Sequence, residues 1–518
     1  MQLPNEIYLS IFALLERTDL KTSRIVSKTW CACASTLLFD QIYVSSARED
    51  LEIFEAVAQH PLLSRCVRRL KYDATEFIEA LTLRQYIAEL WIQTGQYSSY
   101  GDSSSYQTNN HEVNEWVRSR MFENISLCEV LIRFRDSQLV RRGYQSYKEH
   151  AVFQQAALKS GQFLRRLTQG LQKLESLEAV ALEGSWVYQY KTAELGKPCT
   201  GSYLARNWNS HYCKPRDWRW GEIFQIWSED PEMWKSSPDG TQSYKIVITA
   251  LAQAHCHIRS FIVGKDGGYR SLGLPPTLFD LSGQADCRQK ELSTIGAKAF
   301  AKLESFVLGR LQNHVRYGKT GGRTPEKFDN IAGLPLILGL MDHLKHLELT
   351  LSRDPYKPPM FYSDIQTLPK AKVWQNLESL TLAYLSITAG GLVGLLLCQT
   401  PNIRHLKIAG IGLSEGSWEA VIEALSHSQQ LDSFEMGLDG YLFHHGGEGF
   451  GADDYDTAIF RDLEKYVVWG GRHPCLEDHQ PDSSAHEWLQ EFDPTLRDHI
   501  VQSCMRCVLR KAHGVWRQ

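Results

Sequence analysis

Four short stretches combine residue types capable of bond-making or ligation. Gly412-Leu413-Ser414-Glu415-Gly416 fits the Gly-x-Ser-x-Gly elbow, which holds a nucleophilic serine on a sharp turn between a strand and a helix. A hydrolase built on Ser414 also needs a histidine base and a carboxylate to orient it, and no ordered pair is identifiable. Aligning Leu377 with Ile403 puts Thr388 in the slot of Ser414, so the hydroxyl reads instead as a turn or helix N-cap in two successive repeats. Gly318-Lys319-Thr320 is similar to the end of a phosphate-binding loop, but Asn313 stands where that loop requires its first glycine. Cys504 and Cys507, with His499 and His513 nearby, have the residue types of a zinc site. A single Cys-x-x-Cys on one helix reads more simply as two ordinary cysteines. His444-His445 in a glycine-rich stretch reads as a solvated turn. No catalytic residue, metal ligand or cofactor is assigned, and a non-catalytic protein is expected, with a Ser414 hydrolase as the minor alternative.

The elements that would position such groups belong to an ordinary core-forming chain. Of 518 residues, 43% are hydrophobic and 22% charged, which leaves ample apolar surface for burial. Lys and Arg number 56 against 60 Asp and Glu, so the net charge of -4 provides no basic field for a phosphate backbone, and nucleic acid is not an expected partner. Twelve cysteines without regular spacing read as reduced and mostly buried. The run from Ile7 to Leu15 lacks a preceding positive residue and a following cleavage site, and Ala389 to Cys398 is too short to span a bilayer. A soluble cytoplasmic or nuclear protein is expected.

Near the N-terminus, Ile7, Ile11, Leu14 and Leu15 recur at helical spacing, with Pro4 at the start and Glu6 in the first turn. Thr18 or Asp19 is expected to cap a second helix carrying Leu20 and Ile25. Ser27 is expected to cap a third, on which Trp30, Ala34, Leu37 and Leu38 share a face. Three short helices bury too little to be stable without a partner surface. Leu3-Pro4-x-Glu6-Ile7, Ile11-Phe12, Leu15, Asp19-Leu20, Arg24-x-Val26-Ser27-Lys28-x-Trp30 and Leu38-Phe39 together resemble the F-box motif in order and spacing. The chain departs from the motif at Glu16-Arg17, where proline is common, and at Thr22-Ser23, usually more apolar. The resemblance implies docking on the Skp adaptor of a cullin-RING ubiquitin ligase through Leu3, Pro4, Ile7, Ile11, Leu15, Leu20, Val26 and Trp30 of a domain spanning 1–45.

From residue 60 to 473 a pattern recurs: apolar, two residues, apolar, one residue, apolar. Its instances are Val67/Leu70/Tyr72, Leu177/Val180/Leu182, Ile258/Phe261/Val263, Leu303/Phe306/Leu308, Leu344/Leu347/Leu349, Leu377/Leu380/Leu382, Ile403/Leu406/Ile408 and Leu431/Phe434/Met436. Each predicts a short strand. First positions from Ile258 onward are separated by 45, 41, 33, 26 and 28 residues. Helical periodicity intervenes at Leu392, Leu395 and Leu396 and at Trp418, Val421, Ile422 and Leu425. The expected fold is α/β, with a three-helix N-terminal domain followed by a curved solenoid of strand-helix units. The units resemble degenerate leucine-rich repeats, with Leu385 and Ile411 where the family carries a loop-bonding Asn or Cys, and the closest family looks like fungal-type F-box proteins.

Insertions at 185–245, 264–291, 312–333, 352–372 and 437–457 each follow a predicted strand and are expected to share one rim. Trp186, Trp208, Trp218, Trp220, Trp227 and Trp234 read as the private core of the first insertion or as interface residues. A helical insertion is expected over 76–175, including one helix from Phe153 to Leu174 and a loop at 95–110, and a linker with a helix over 474–518. Between the apolar strand positions, Ser305 and Val307, His346 and Glu348, Ser379 and Thr381, His405 and Lys407, and Ser433 and Glu435 should face outward. Among them His346, Glu348, Thr381, His405, Lys407 and Glu435 are the candidate contacts for an unidentified protein substrate.

Overall fold

A computed structural model describes residues 3–74, 138–183, 241–264, 298–309, 333–350, 373–383, 385–409, 411–415, 418–427 and 431–437, with isolated positions at 83, 296 and 467–468. The Trp-rich stretch, the loop at 95–110, most of the other insertions, the Gly-Lys-Thr and His-His motifs and the cysteine pair near the C-terminus lie outside the described residues. The chain divides into two compact units, one running to Ile258 and the other beginning at Arg259.

The first unit opens with helices α1 (Asn5–Phe12), α2 (Arg17–Ser23) and α3 (Lys28–Leu38). There follow β1 (Gln41–Ser45), α4 (Arg48–Gln59), β2 (Arg69–Asp73), α5 (Gln138–Lys159), α6 (Gln162–Leu171), β3 (Ala179–Glu183) and α7 (Thr241–Gln253). β1, β2 and β3 are parallel and in register, Ile42 opposite Leu70 opposite Val180. Parallel neighbours require a crossover, and the helices supply it. Leu51 and Phe54 of α4, Phe163 and Leu167 of α6 and Ile248 and Leu251 of α7 are all buried. The Tyr72 ring meets that of Phe163 edge-on at 5.9 Å.

β1 is an element that the sequence reading leaves out. It lies directly behind α3, and Phe39/Ile42/Val44 fits the triplet with Ile42 opposite Leu70 and Val44 opposite Tyr72, but Phe39 reads there as the end of the third helix. Buried polar groups anchor it: Ser45 Oγ donates to Asp50 Oδ2 at 2.5 Å and accepts from the Ala47 N–H at 3.1 Å. Gln154 Nε2 of α5 donates to Ser46 Oγ at 2.6 Å. The single helix expected over Phe153 to Leu174 is two, because Gly161 takes φ +66° between α5 and α6, a conformation that glycine adopts without a Cβ clash.

The second unit carries β4 (Ser260–Val263), β5 (Ser305–Leu308), α8 (Gly333–Gly339), β6 (His346–Thr350), β7 (Ser379–Ala383), β8 (Ser386–Thr388), α9 (Ala389–Gly394), β9 (His405–Ala409), β10 (Gly412–Glu415), α10 (Trp418–His427) and β11 (Ser433–Gly437). β4, β5, β6, β7, β9 and β11 run parallel in chain order, and β8 with β10 form a separate two-stranded pair. All three positions of the triplets beginning at Ile258, Leu303, Leu344, Leu377 and Ile403 are buried, as are Leu431 and Phe434, while Met436 is half-buried. Stacked in register, each strand offers its neighbour an apolar row. Leu385 and Ile411 are buried as well.

Three further expectations are corrected. α2 begins at Arg17 with Glu16 at its N-cap and no side-chain cap, so neither Thr18 nor Asp19 caps it. Ile25 lies beyond that helix and is exposed. Among the described cysteines, all free thiols, only Cys33 is buried; Cys31, Cys66 and Cys256 are half-buried and Cys398 is exposed.

α6 packs closely on α4 at Gly170, where an added Cβ would lie 2.1 Å from Cε1 of the buried Phe54 ring. Gly170→Ala is expected to lower unfolding stability by about 1–3 kcal/mol through overpacking. Chemical denaturation measures this, and Phe54→Leu in the same chain should recover part of the loss.

Candidate protein-binding surfaces

α1 is apolar on two sides. Tyr8 and Phe12 face inward with Leu9 and Leu15, and pack with Leu20, Cys33, Ala34 and Leu38. Trp30 closes this small core: its ring lies 5.1 Å from Phe12, edge-on, and 6.0 Å from Tyr8. Pro4 stands at the N-cap of α1, where its missing N–H costs no hydrogen bond and its carbonyl accepts from the Ile7 and Tyr8 N–H groups. Ser27 caps α3 as expected, its Oγ accepting the Trp30 N–H at 3.1 Å. The Arg24 guanidinium lies 5.4 Å over the Phe39 ring. Burial, and secondarily the charge of Glu6, holds the Cys33 thiol above its ordinary range, so it behaves as a core residue.

The other side of α1 is uncovered. Leu3, Ile7 and Ile11 remain 46%, 46% and 45% exposed and Leu14 87%, spaced along one stripe. Pro4, Ile25 and Val26 are also exposed. The eight residues of the expected adaptor surface are therefore not equivalent. Leu3, Pro4, Ile7, Ile11 and Val26 are open, Leu15 and Trp30 are half-buried, and Leu20 is buried in the helices' own core. Periodicity groups Leu15 with Ile7 and Ile11, whereas the structure turns it to the inner side with Phe12.

On the second unit, the residues between buried strand positions form two lateral rows. Ser305, His346, Ser379, His405 and Ser433 stand side by side in one, and Val307, Glu348, Thr381, Lys407 and Glu435 in the other. His346, His405, Lys407 and Glu435 are exposed, Glu348 and Thr381 half-buried, and Val307 is buried rather than outward. His405 Nδ1 and Ser433 Oγ share a hydrogen bond at 2.9 Å, and Lys407 Nζ donates to Glu435 Oε2 at 2.5 Å. One residue before each strand lies a row that the sequence reading misses: Arg259, Glu304, Lys345, Glu378, Arg404 and Asp432. Lys345 Nζ donates to Glu304 Oε2 at 3.0 Å, which, with the nearby Arg259 charge, holds the Glu304 carboxyl below its ordinary range.

With this geometry in place, comparison with protein-family models gives one match: residues 1–45 fit the family described as F-box-like. Residues 1–45 form an F-box-like domain. No curated protein matches the chain. The match covers all eight expected adaptor positions.

Ser414 falls at an irregularity. β10 pairs with β8 so that Leu413 opposes Ile387 and Glu415 opposes Thr388, leaving Ser414 at a bulge rather than in the Thr388 slot. Thr388 itself caps α9, its Oγ1 accepting the Gly391 N–H at 2.9 Å. Among the described residues no helix is long and apolar enough to cross a membrane.

The two sides of α1 predict opposite responses to truncation. Ile7→Ala and Ile11→Ala should each change stability by under about 0.5 kcal/mol. Phe12→Ala should cost about 3–5 kcal/mol by opening the core beneath Trp30. Denaturant titration followed by Trp30 fluorescence in an otherwise Trp-to-Phe background checks both.

Proposed function

We propose that the protein is the substrate-recognition subunit of a Skp-cullin-F-box ubiquitin ligase, working in the cytoplasm or nucleus. The observation that carries this reading is the exposed Leu3, Ile7, Ile11 and Leu14 stripe on a domain matching the F-box-like family. The core beneath is already closed by Phe12 and Trp30, so the stripe is not needed to fold the helices. Four exposed apolar side chains, Ile7 and Ile11 on α1 with Leu3 just before it and Leu14 just after it, suit a groove of another protein, and each buried one contributes about 1.5–3 kcal/mol before association costs. The Skp adaptor is the partner implied.

The strand-helix units are read as degenerate leucine-rich repeats of a fungal-type F-box protein. Parallel in-register strands, buried triplets and separations of 26 and 28 residues support this reading. A protein substrate is assigned to the face bearing His346, Glu348, Thr381, His405, Lys407 and Glu435. The subunit makes no bond itself: it raises the effective concentration of an acceptor lysine near the ubiquitin donor.

The test is affinity purification of the full chain beside an Ile7→Glu, Ile11→Glu variant. Trp30 is left intact because it packs on Phe12, so its removal would confuse unfolding with lost docking. The variant should lose adaptor and cullin by at least about tenfold per side chain while other bound proteins persist. Unchanged adaptor recovery would contradict the reading, and adaptor without cullin would mark a scaffold instead.

A further inference from the structure

The residues that precede the strands carry a pattern that no binding role requires. In the second unit they read Arg259, Glu304, Lys345, Glu378, Arg404 and Asp432, strictly alternating in sign. In the first unit the equivalent positions are Asp40, Arg68 and Glu178, again alternating. Only 22% of the chain is charged, so composition does not produce a charged residue at every one of these positions.

Their backbones are joined rung to rung. The Glu304 N–H donates to the Arg259 carbonyl at 2.8 Å, Lys345 to Glu304 at 2.7 Å, Glu378 to Lys345 at 2.9 Å, Arg404 to Glu378 at 2.8 Å and Asp432 to Arg404 at 2.7 Å. The next residue of each strand donates to the same carbonyl. Side chains on adjacent rungs therefore start about 5 Å apart, within a screening length of about 8 Å at physiological salt, whereas second neighbours fall outside it. Close pairs already form: Lys345 with Glu304 at 3.0 Å, Arg259 with Glu304 at 3.9 Å and Arg404 with Asp432 at 3.9 Å.

The apolar interior supplies no such label. Leu347 and Leu349 meet Leu380 and Leu382, which meet Leu406 and Ile408, so these three neighbouring strands carry nearly identical inward side chains. We propose that the alternating row is an electrostatic ladder that marks successive strands as odd or even. Skipping one strand, or inserting the equivalent strand of a second copy out of phase, sets like charges on neighbouring rungs. Correct stacking sets opposite charges on every rung. The ladder excludes the mispaired arrangement more than it stabilises the native one.

The test uses the sign of one substitution in two backgrounds of the full chain. Lys345→Glu in the natural ladder puts a third carboxylate between those of Glu304 and Glu378. The inverted ladder carries Arg259→Glu, Glu304→Lys, Glu378→Lys, Arg404→Glu and Asp432→Lys, and there the same substitution restores alternation. Hydrogen exchange of the β5, β6 and β7 amides reads the outcome. At low salt Lys345→Glu should speed exchange about two- to tenfold in the natural ladder and slow it by a similar factor in the inverted one. Both effects should shrink towards none at 1 M salt, where screening acts within about 3 Å. The same direction in both backgrounds, or no change in either, overturns the proposal. If the inverted chain does not fold, Lys345→Glu combined with Glu304→Gln and Glu378→Gln decides. Exchange within about twofold of the Gln-only chain supports the ladder, and a persisting loss overturns it.

Discussion

The contact of Phe12 with Trp30 determines what the N-terminal domain can do. An edge-on ring pair at 5.1 Å, with Tyr8 alongside, completes a core for three short helices that would otherwise have little to bury. Because that pair uses the inner side of α1, the outer side is left with leucines and isoleucines that no described element covers. The same helices are linked to the rest of their unit: Cys66 in the Ser64–Cys66 turn contacts Thr36 of α3, and Asp40, just after α3, pairs with Arg69 of β2. The exposed apolar stripe is thus carried by helices that contact the strands and turns following them.

The parallel strands follow from a related economy. Each one directs two apolar side chains inward and leaves the intervening one half-buried or exposed, except at Ala181 and Val307, which are buried, so one short triplet defines an inner row, an outer row and a charged border. The inner rows supply most of the cohesion, since area removed from water dominates such packing. The outer rows are free to vary. Their mixture of serine, histidine, lysine and glutamate, with several members already paired laterally, suits a protein partner recognised by hydrogen bonds rather than by net charge.

Much of this is legible in the residues. All eight apolar triplets lie at strands, because a buried strand face leaves a period-two mark that survives irregular spacing. The Leu-Pro-x-Glu start and the Val-Ser-Lys-x-Trp run mark the N-terminal domain. What stays hidden has identifiable causes. A helix that is apolar on two sides gives no clue to which side faces in, so periodicity groups Leu15 with Ile7 and Ile11. The register shift at Ser414 depends on the pairing of two very short strands, which spacing between repeats does not reveal. β1 goes unassigned although Phe39/Ile42/Val44 fits the triplet, because Phe39 is already taken as the Leu38-Phe39 end of the N-terminal helices. The charge ladder is present in the sequence throughout, but it becomes visible only when strand starts are known to the residue.

A separate polypeptide is expected to cover the outer side of α1. Oxidative footprinting of the full chain by hydroxyl radicals, with and without saturating purified Skp adaptor, tests it at the side chains concerned. Labelling at Leu3, Ile7, Ile11 and Leu14 should fall sharply on addition of the adaptor while Phe12, already buried, stays low in both states. Equal labelling of those four residues in both states, at adaptor concentrations that saturate a known partner, would contradict it.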